Sequence, residues 1–285
     1  MTGGESVRAT VAVVVTVGSS DVELVSDALF GLGARAVEER VGKRGSSELV
    51  CILGEGHADL NAALAQLGVK PRVRLEPVDE TTLHSWRDHA RPIDVDARLL
   101  IRPAWFDMAT PAPTDRLVID IDPGAAFGLG DHPTTVLSAL AVLDEMAPGS
   151  SVLDMGCGSG VLGIIAAKCG AASVLSIDID GAAIEATSDN ARRNGAADRI
   201  TVVRSDRVPE GTNSVDLICA NILAPVLVTL APNLVSAMAP GGRLILSGLL
   251  TDNHVHVIDR YRSLGLVSTT RRDLDGWHVE VMRRD

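Results

Sequence analysis

Apolar positions near the start of the chain change rhythm several times. From Ala9 to Val17 nearly every residue is β-branched or apolar, the pattern of a buried strand. Val22, Leu24, Val25, Leu29 and Phe30 then recur at helical spacing behind the capping residues Ser19 and Ser20, and Gly33 closes the segment. Ala36 to Val41 and Glu48 to Leu53 are two more strands joined at Gly42 to Gly45. His57 to Leu67 is a second helix and Val69 to Leu75 a last strand. The order βαββαβ predicts a small α+β, ferredoxin-like domain over residues 1–76.

Residues 77–116 are expected to form a linker. Thr82 to Arg91 has the polarity of an exposed helix, with Trp86 as a packing anchor. Leu99 to Pro103 and Leu117 to Ile121 are short strands flanking a loop that holds Trp105 and Phe106. Over residues 117–285 strands and helices alternate. Val136 to Met146, Val161 to Lys168, Ala182 to Asn194, Ala224 to Met238 and His254 to Leu264 are the predicted helices. Between them fall strands ending at Asp154, Asp178, Arg204, Ala220 and Ser247, the last beginning at Arg243 after Gly241 and Gly242. Leu266 to Thr270 and Gly276 to Met282 form a closing hairpin. This order predicts an α/β, doubly wound Rossmann-like sheet with an antiparallel last strand and its ligand at the carboxyl ends of the strands.

The chemistry gathers at that edge. Val152-Leu153-Asp154-Met155-Gly156-Cys157-Gly158-Ser159-Gly160 reads as strand, glycine turn and helix start, where backbone can approach a ligand closely and free N–H groups favour an anion. Gly158, Gly160 and Gly163 also spell G-x-G-x-x-G, with Asp178 about 20 residues on, so a nicotinamide dinucleotide is formally available. Asp154 argues against it. Placed at the mouth of the strand, its carboxylate would oppose a pyrophosphate. The same carboxylate can accept from the α-ammonium of S-adenosylmethionine directly or through water, and the cofactor's own carboxylate suits the helix N-terminus. Asp178 is placed to accept both ribose hydroxyls and Asp180 to cap the next helix. Ser205 and Asp206 could meet an adenine amino group. In the glycine-rich run Asp122 to Thr135, His132 is a candidate base or a histidine bonded within its own loop. Thr135 is a ligand contact or a helix cap.

Composition narrows the classes. A formal charge of −11 speaks against a general nucleic-acid binder and is compatible with a basic protein partner. No stretch of about 18 apolar residues occurs and Met1-Thr2-Gly3-Gly4-Glu5 lacks a signal peptide's features, so a soluble cytoplasmic protein is expected. Cys51, Cys157, Cys169 and Cys219 lack C-x-x-C spacing and read as reduced core residues. His254 and His256 have no further ligands nearby in sequence, so no metal site is expected.

Taken together, Ala126 to Thr135, Asp154 to Gly160, Ile177-Asp178-Ile179-Asp180 and Asn221-Ile222-Leu223-Ala224 resemble the ribosomal protein L11 methyltransferase family. The second half resembles class I S-adenosylmethionine-dependent methyltransferases generally. The resemblance implies S-adenosyl-L-methionine as cofactor, with contacts at Thr135, Gly156, Asp178 and Asn221. It also implies N-methylation of lysine or N-terminal amines of a basic ribosomal protein, which residues 1–76 would recognise. Leu129 and Asp131 depart from the threonine-like residues usual in that family's loop. A sulfonium methyl needs a nucleophile with a lone pair in line, so catalysis is chiefly orientation. Asn221 is the expected orienting residue, through its side-chain oxygen, while water takes the proton; otherwise Asn221 only shapes its turn. The expected cofactor set is Thr135, Asp154, Gly156, Gly158, Asp178 and Asn221, and the expected state is a monomer. Alternative readings are another protein lysine or small-molecule amine as acceptor, and a non-catalytic module that keeps the cofactor pocket.

Overall fold

The computed structural model describes residues 11–18, 21, 22, 25, 26, 29, 37–42, 45–52, 60, 64, 72–77, 90–106, 116–123, 130 and 132–285. The chain divides into two compact units, Met1–Ala90 and Arg91–Asp285.

In the first unit, β1 (Val11–Gly18), β2 (Val37–Val41), β3 (Ser46–Ile52) and β4 (Arg72–Pro77) form one sheet in the order β2-β3-β1-β4. Every neighbouring pair is antiparallel, with Val14 opposite Val50 on one side and Arg74 on the other. Val13, Val15 and Val17 alternate onto the face that also buries Val25, Leu29, Leu60 and Leu64. The spacing of those last four residues fits the two helices expected at 22–32 and 57–67, most of which lie outside the described residues, as do Trp86 and the helix expected at 82–91.

The second unit is built on a seven-stranded sheet ordered β10-β9-β8-β11-β12-β14-β13. Its strands are β8 (Ser151–Met155), β9 (Ser173–Asp178), β10 (Ile200–Arg204), β11 (Val215–Asn221), β12 (Met238–Leu250), β13 (Leu266–Leu274) and β14 (Trp277–Arg284). Five pair in parallel, and β14 inserts antiparallel between β12 and β13. β5 (Ile93–Asp96), β6 (Leu99–Pro103) and β7 (Leu117–Ile121) make a separate three-stranded sheet in which β6 and β7 run parallel. The helices are α1 (Pro133–Glu145), α2 (Val161–Lys168), α3 (Gly181–Arg193), α4 (Ala224–Ala237) and α5 (Val255–Arg262).

Both faces of the central strands are covered. Val152, Cys219, Ile245 and Val281 pack with α1, α2 and the small sheet; Leu153, Ile218, Leu246 and Met282 pack with α4 and α5. Helices on both faces are what right-handed parallel crossovers require, and they leave only the strand ends open to a ligand. Two strands differ from expectation: β5 lies in a stretch where no strand was expected, and β12 starts early. β12 begins at Met238, before the two glycines, because Met238 pairs with Val215 across an irregular register. Gly242 is needed there, since a Cβ would stand 2.8 Å from Ala239 O and 2.9 Å from Val215 O. No described helix is long and apolar enough to cross a membrane.

Candidate functional site

The glycine turn after β8 folds back onto β9: the N–H groups of Gly156 and Cys157 donate to Ile177 O at 2.8 and 3.0 Å. Gly156 has φ +74°, and a Cβ there would lie 2.1 Å from Ile222 Cγ2, so this position accepts only glycine without movement of the segment after β11. Gly160 starts α2 at φ +82°, and its α face is closed by Thr187. Strand ends 8, 9 and 11 thereby converge on one turn.

Asp178 stands at the end of β9 as expected. Its Oδ2 accepts from Gly158 N and its Oδ1 from Asp180 N, both at 3.0 Å. Each oxygen keeps lone-pair capacity for a further donor. Asp180 caps α3 by accepting from Ala182 N at 3.0 Å. Between the two acids Ile179 is 64% exposed, an apolar side chain that sequence reading passed over.

Asp154 is not at the mouth of the strand. It shares a sheet face with Val152, lies under α2 at 1% exposure, and accepts from Gly163 N at 3.0 Å through Oδ2. Burial pushes its carboxyl up to about 7; the Gly163 N–H pulls the other way, and the charge of Asp178 adds to the rise. At this depth Asp154 ties strand to helix, and an ammonium contact would have to run through water. Gly163 completes that packing, since a Cβ there would sit 3.0 Å from Ser176 Oγ and 3.1 Å from Asp154 Oδ2.

Asn221 ends β11 and donates from Nδ2 to Thr134 Oγ1 at 3.3 Å. Thr134 Oγ1 in turn lies 2.8 Å from His132 Nδ1, which also accepts from Thr134 N at 3.3 Å as the cap of α1. The T-shaped contact of Trp277 holds the His132 ring, with centroids 4.8 Å apart. Thr135, the threonine expected to meet the ligand, is buried beside it in the first turn of α1, with its N–H on His132 O. The threonine joined to Asn221 is Thr134. The only sequence signal for Thr134 was its place next to Thr135 in the same doublet. Ser205 and Asp206 follow β10, but Asp206 pairs with Arg207 at 2.9 Å, which holds its carboxyl below the usual range. Phe127, Leu129 and Asp131 lie outside the described residues.

Asn190 was also missed. Its amide donates to Asp122 O and Ser159 O, both at 2.9 Å, linking the root of the glycine-rich run to the turn. Among the described residues no group of three or more metal-ligating side chains occurs. The four cysteines are unpaired, and burial raises the thiols of Cys157 and Cys219.

An adenosine-bearing ligand fits these features. A cradle that a Cβ at Gly156 would fill, a carboxylate with spare acceptor capacity at the second strand and an exposed apolar side chain beside it suit a ribose and a flat base. The family model for ribosomal protein L11 methyltransferase (PrmA) matches residues 54–285. A ribosomal protein L11 methyltransferase of Ralstonia pickettii is 35% identical over 93% of this chain and 95% of its own. The Symbiobacterium thermophilum protein of the same name is 39% identical over 70% of this chain, and the chain spans 64% of that relative's length. A crystal structure of ribosomal protein L11 methylase from Lactobacillus delbrueckii subsp. bulgaricus superposes with TM-score 0.64 at 32% identity, covering 69% of this chain and all of that one.

Proposed function

Since the chain belongs to the ribosomal protein L11 methyltransferase family, we propose that it methylates lysine or N-terminal amines of ribosomal protein L11, with S-adenosylmethionine as cofactor. When bound, the cofactor supplies an electrophilic methyl group on a sulfonium. The protein's own work is binding and orientation. Asp178 accepts the ribose hydroxyls, Ile179 packs against the base, and the turn from Gly156 to Gly160 admits the rest of the nucleoside. Thr135 and Asn221 complete the contact set implied by the family, while Asp154 acts through α2 by holding the turn.

An ammonium has no lone pair, so the acceptor amine must enter neutral; partial desolvation near a positive charge lowers its pKa. Asn221 Oδ1 accepts one of its N–H bonds and aims the lone pair, and solvent water removes the surplus proton. Residues 1–76 recognise the ribosomal protein, residues 117–285 carry the transfer, and the enzyme works in the cytoplasm as a monomer.

The observation that carries this reading is the meeting of the glycine turn, Asp178 and Asn221 at one sheet edge in a chain whose family match spans residues 54–285. Incubation with labelled S-adenosylmethionine and purified ribosomal proteins tests it. Label in the L11 band alone is expected. Label only in another protein or a small amine would assign a different acceptor, and cofactor binding with no transfer to any acceptor would mark a binding module.

A further inference from the structure

Thr134 is pinned more firmly than a helix start requires. Its carbonyl accepts from Ser138 Oγ at 2.7 Å and from Ser247 Oγ at 3.3 Å, the latter reaching across from β12, where Ser247 is the register partner of Asn221. Its N–H donates to His132 Nδ1 at 3.3 Å. A cap needs only an acceptor, and histidine is not among the favoured capping residues. The imidazole is doing something that serine or aspartate at the same position would not.

The direction of the hydrogen bonds shows what. The Thr134 N contact to Nδ1 of His132 is satisfied by the Nε2–H tautomer of the ring. In that tautomer the 2.8 Å contact between Nδ1 and Thr134 Oγ1 is an O–H donation from the threonine, which takes the larger share of the one Nδ1 lone pair over the 3.3 Å N–H contact. With its only proton committed, Oγ1 can offer Asn221 nothing but lone pairs, so the amide turns its Nδ2 toward Thr134 and leaves Oδ1 for a donor. If the threonine proton pointed at Asn221 instead, the amide would flip and present N–H groups to the acceptor amine, competing for the lone pair that must attack.

Resting on the function proposed above, we propose that His132 and Thr134 are positioning residues that fix the Asn221 amide with its oxygen toward the acceptor. Trp277, edge-on to the imidazole, keeps that ring in plane. The arrangement accounts for a polar chain running through a cap residue, a buried hydroxyl and a strand end in place of three separate local bonds.

The test compares Thr134→Val, which keeps volume and loses the hydroxyl, with Thr134→Ser, which keeps it. Thr134→Val is expected to lower kcat by about 10-fold or more while S-adenosylhomocysteine affinity changes by less than about 3-fold, and Thr134→Ser to recover most of kcat. His132→Asn, which restores an acceptor near the Nδ1 position and is a favoured cap, should keep far more activity than His132→Leu. In the cofactor-free wild type, the nitrogen spectrum of the imidazole should show Nδ1 unprotonated at neutral pH. A proton on Nδ1, an undiminished kcat in Thr134→Val, equal losses in the valine and serine variants, or a kcat loss that tracks lost cofactor affinity would each overturn the relay. If the wild type transfers no label to L11, the functional reading fails, and the imidazole spectrum, which needs no acceptor, still decides the relay.

Discussion

The side-chain amide of Asn190 pairs with the backbone of Asp122 as a neighbouring strand would: Nδ2 donates to Asp122 O at 2.9 Å and Oδ1 accepts from Asp122 N at 3.0 Å. One turn later Asn194 does the same to Asp120, accepting from its N–H at 2.9 Å and donating to its carbonyl at 2.8 Å. Asn190 on α3 and Asn194 at its C-cap thus stand in for an absent strand beside β7. The first also holds Ser159 O in the glycine turn. Asn190→Ala removes the amide that pairs with Asp122 and Ser159 and should cost about 3 kcal/mol in urea unfolding. It should also weaken S-adenosylhomocysteine binding, because Ser159 loses its tether. A variant within about 0.5 kcal/mol of wild type would show that water replaces the amide.

Gly156→Ala should damage the turn in two separable ways. The backbone sits at φ +74°, costly for any residue with a Cβ, and that Cβ meets Ile222 Cγ2 at 2.1 Å. We expect destabilisation of about 2–4 kcal/mol and severe loss of cofactor affinity. Adding Ile222→Ala should return only part of it, because the steric conflict disappears and the left-handed backbone stays. Full recovery in the double variant would mean that φ contributes nothing, and no recovery that the clash contributes nothing.

Asp178→Ala removes the carboxylate that accepts from Gly158 N and Asp180 N at 3.0 Å and that we propose accepts the ribose hydroxyls. Hydrogen bonds to a charged group are worth about 1.5–3 kcal/mol each, so S-adenosylhomocysteine affinity should fall by about 100-fold or more. Calorimetry on Asp178→Asn separates the roles. The amide keeps one acceptor for the turn but cannot take both ribose hydroxyls, so an intermediate loss is expected. Wild-type affinity in the alanine variant would remove Asp178 from the cofactor site.

Sequence pattern revealed the alternation of strands and helices, the glycine turn and the acid at the end of β9, because each is a local signal: a run of Val and Ile, a cluster of Gly, a polar residue where apolar residues stop. It did not reveal which way Asp154 faces. In a strand covered on both sides, Leu153 and Val152 are equally apolar, so alternation has no polar face to mark. Thr134 and Thr135 are indistinguishable as letters, and only the start of α1 at Pro133 turns the first toward Asn221. β12 was expected to begin after Gly241 and Gly242 because glycines punctuate, whereas the pairing of Met238 with Val215 carries the strand through them. Asn190 carries no pattern at all. Its partners are about 70 and 30 positions away in sequence, and a polar residue within a helix normally signals an exposed face.

Asp154 makes stability depend on pH in an unusual direction for a carboxylate. Burial, its largest influence, raises the folded pKa to about 7 from an ordinary 3.8. Between those values the folded state binds more protons than the unfolded chain, so this group's contribution is full below the lower value and declines as pH rises through the upper one. Asp154→Asn keeps an acceptor for Gly163 N and has no charge to bury. The variant should therefore gain on wild type by on the order of a few kcal/mol between pH 4 and pH 7 and hold that difference above it. Unfolding free energies that run parallel across this window would show that Asp154 is ionised in the fold with no penalty.

His278 acts at higher pH through a buried sandwich. Its Nδ1 lies 2.7 Å from Asp273 Oδ1 and its Nε2 3.0 Å from Glu280 Oε2, with His254 stacked on the ring at 3.9 Å. Burial, the largest single influence, lowers its pKa, but hydrogen bonds and charge from Glu280 and Asp273 together outweigh it and leave the value above 6.5; Glu280 is correspondingly held below its usual range. Only the imidazolium has two N–H groups, so only that form serves both carboxylates. The folded pKa exceeds the unfolded one, so the stabilisation is complete below pH 6.5 and is lost as pH rises through the raised value. His278→Gln should cost about 3 kcal/mol at pH 6, where it leaves the buried Glu280 with only Ser268 and the charge of Arg262, and less at pH 9, where the neutral wild-type ring can itself donate to only one acid. Asp273 is half exposed and can turn to water, so most of the pH-dependent loss should persist in Asp273→Asn and vanish in Glu280→Gln. Equal costs of His278→Gln at the two pH values would mean that the folded pKa of the ring does not differ from the unfolded one and that its charge adds nothing to the sandwich.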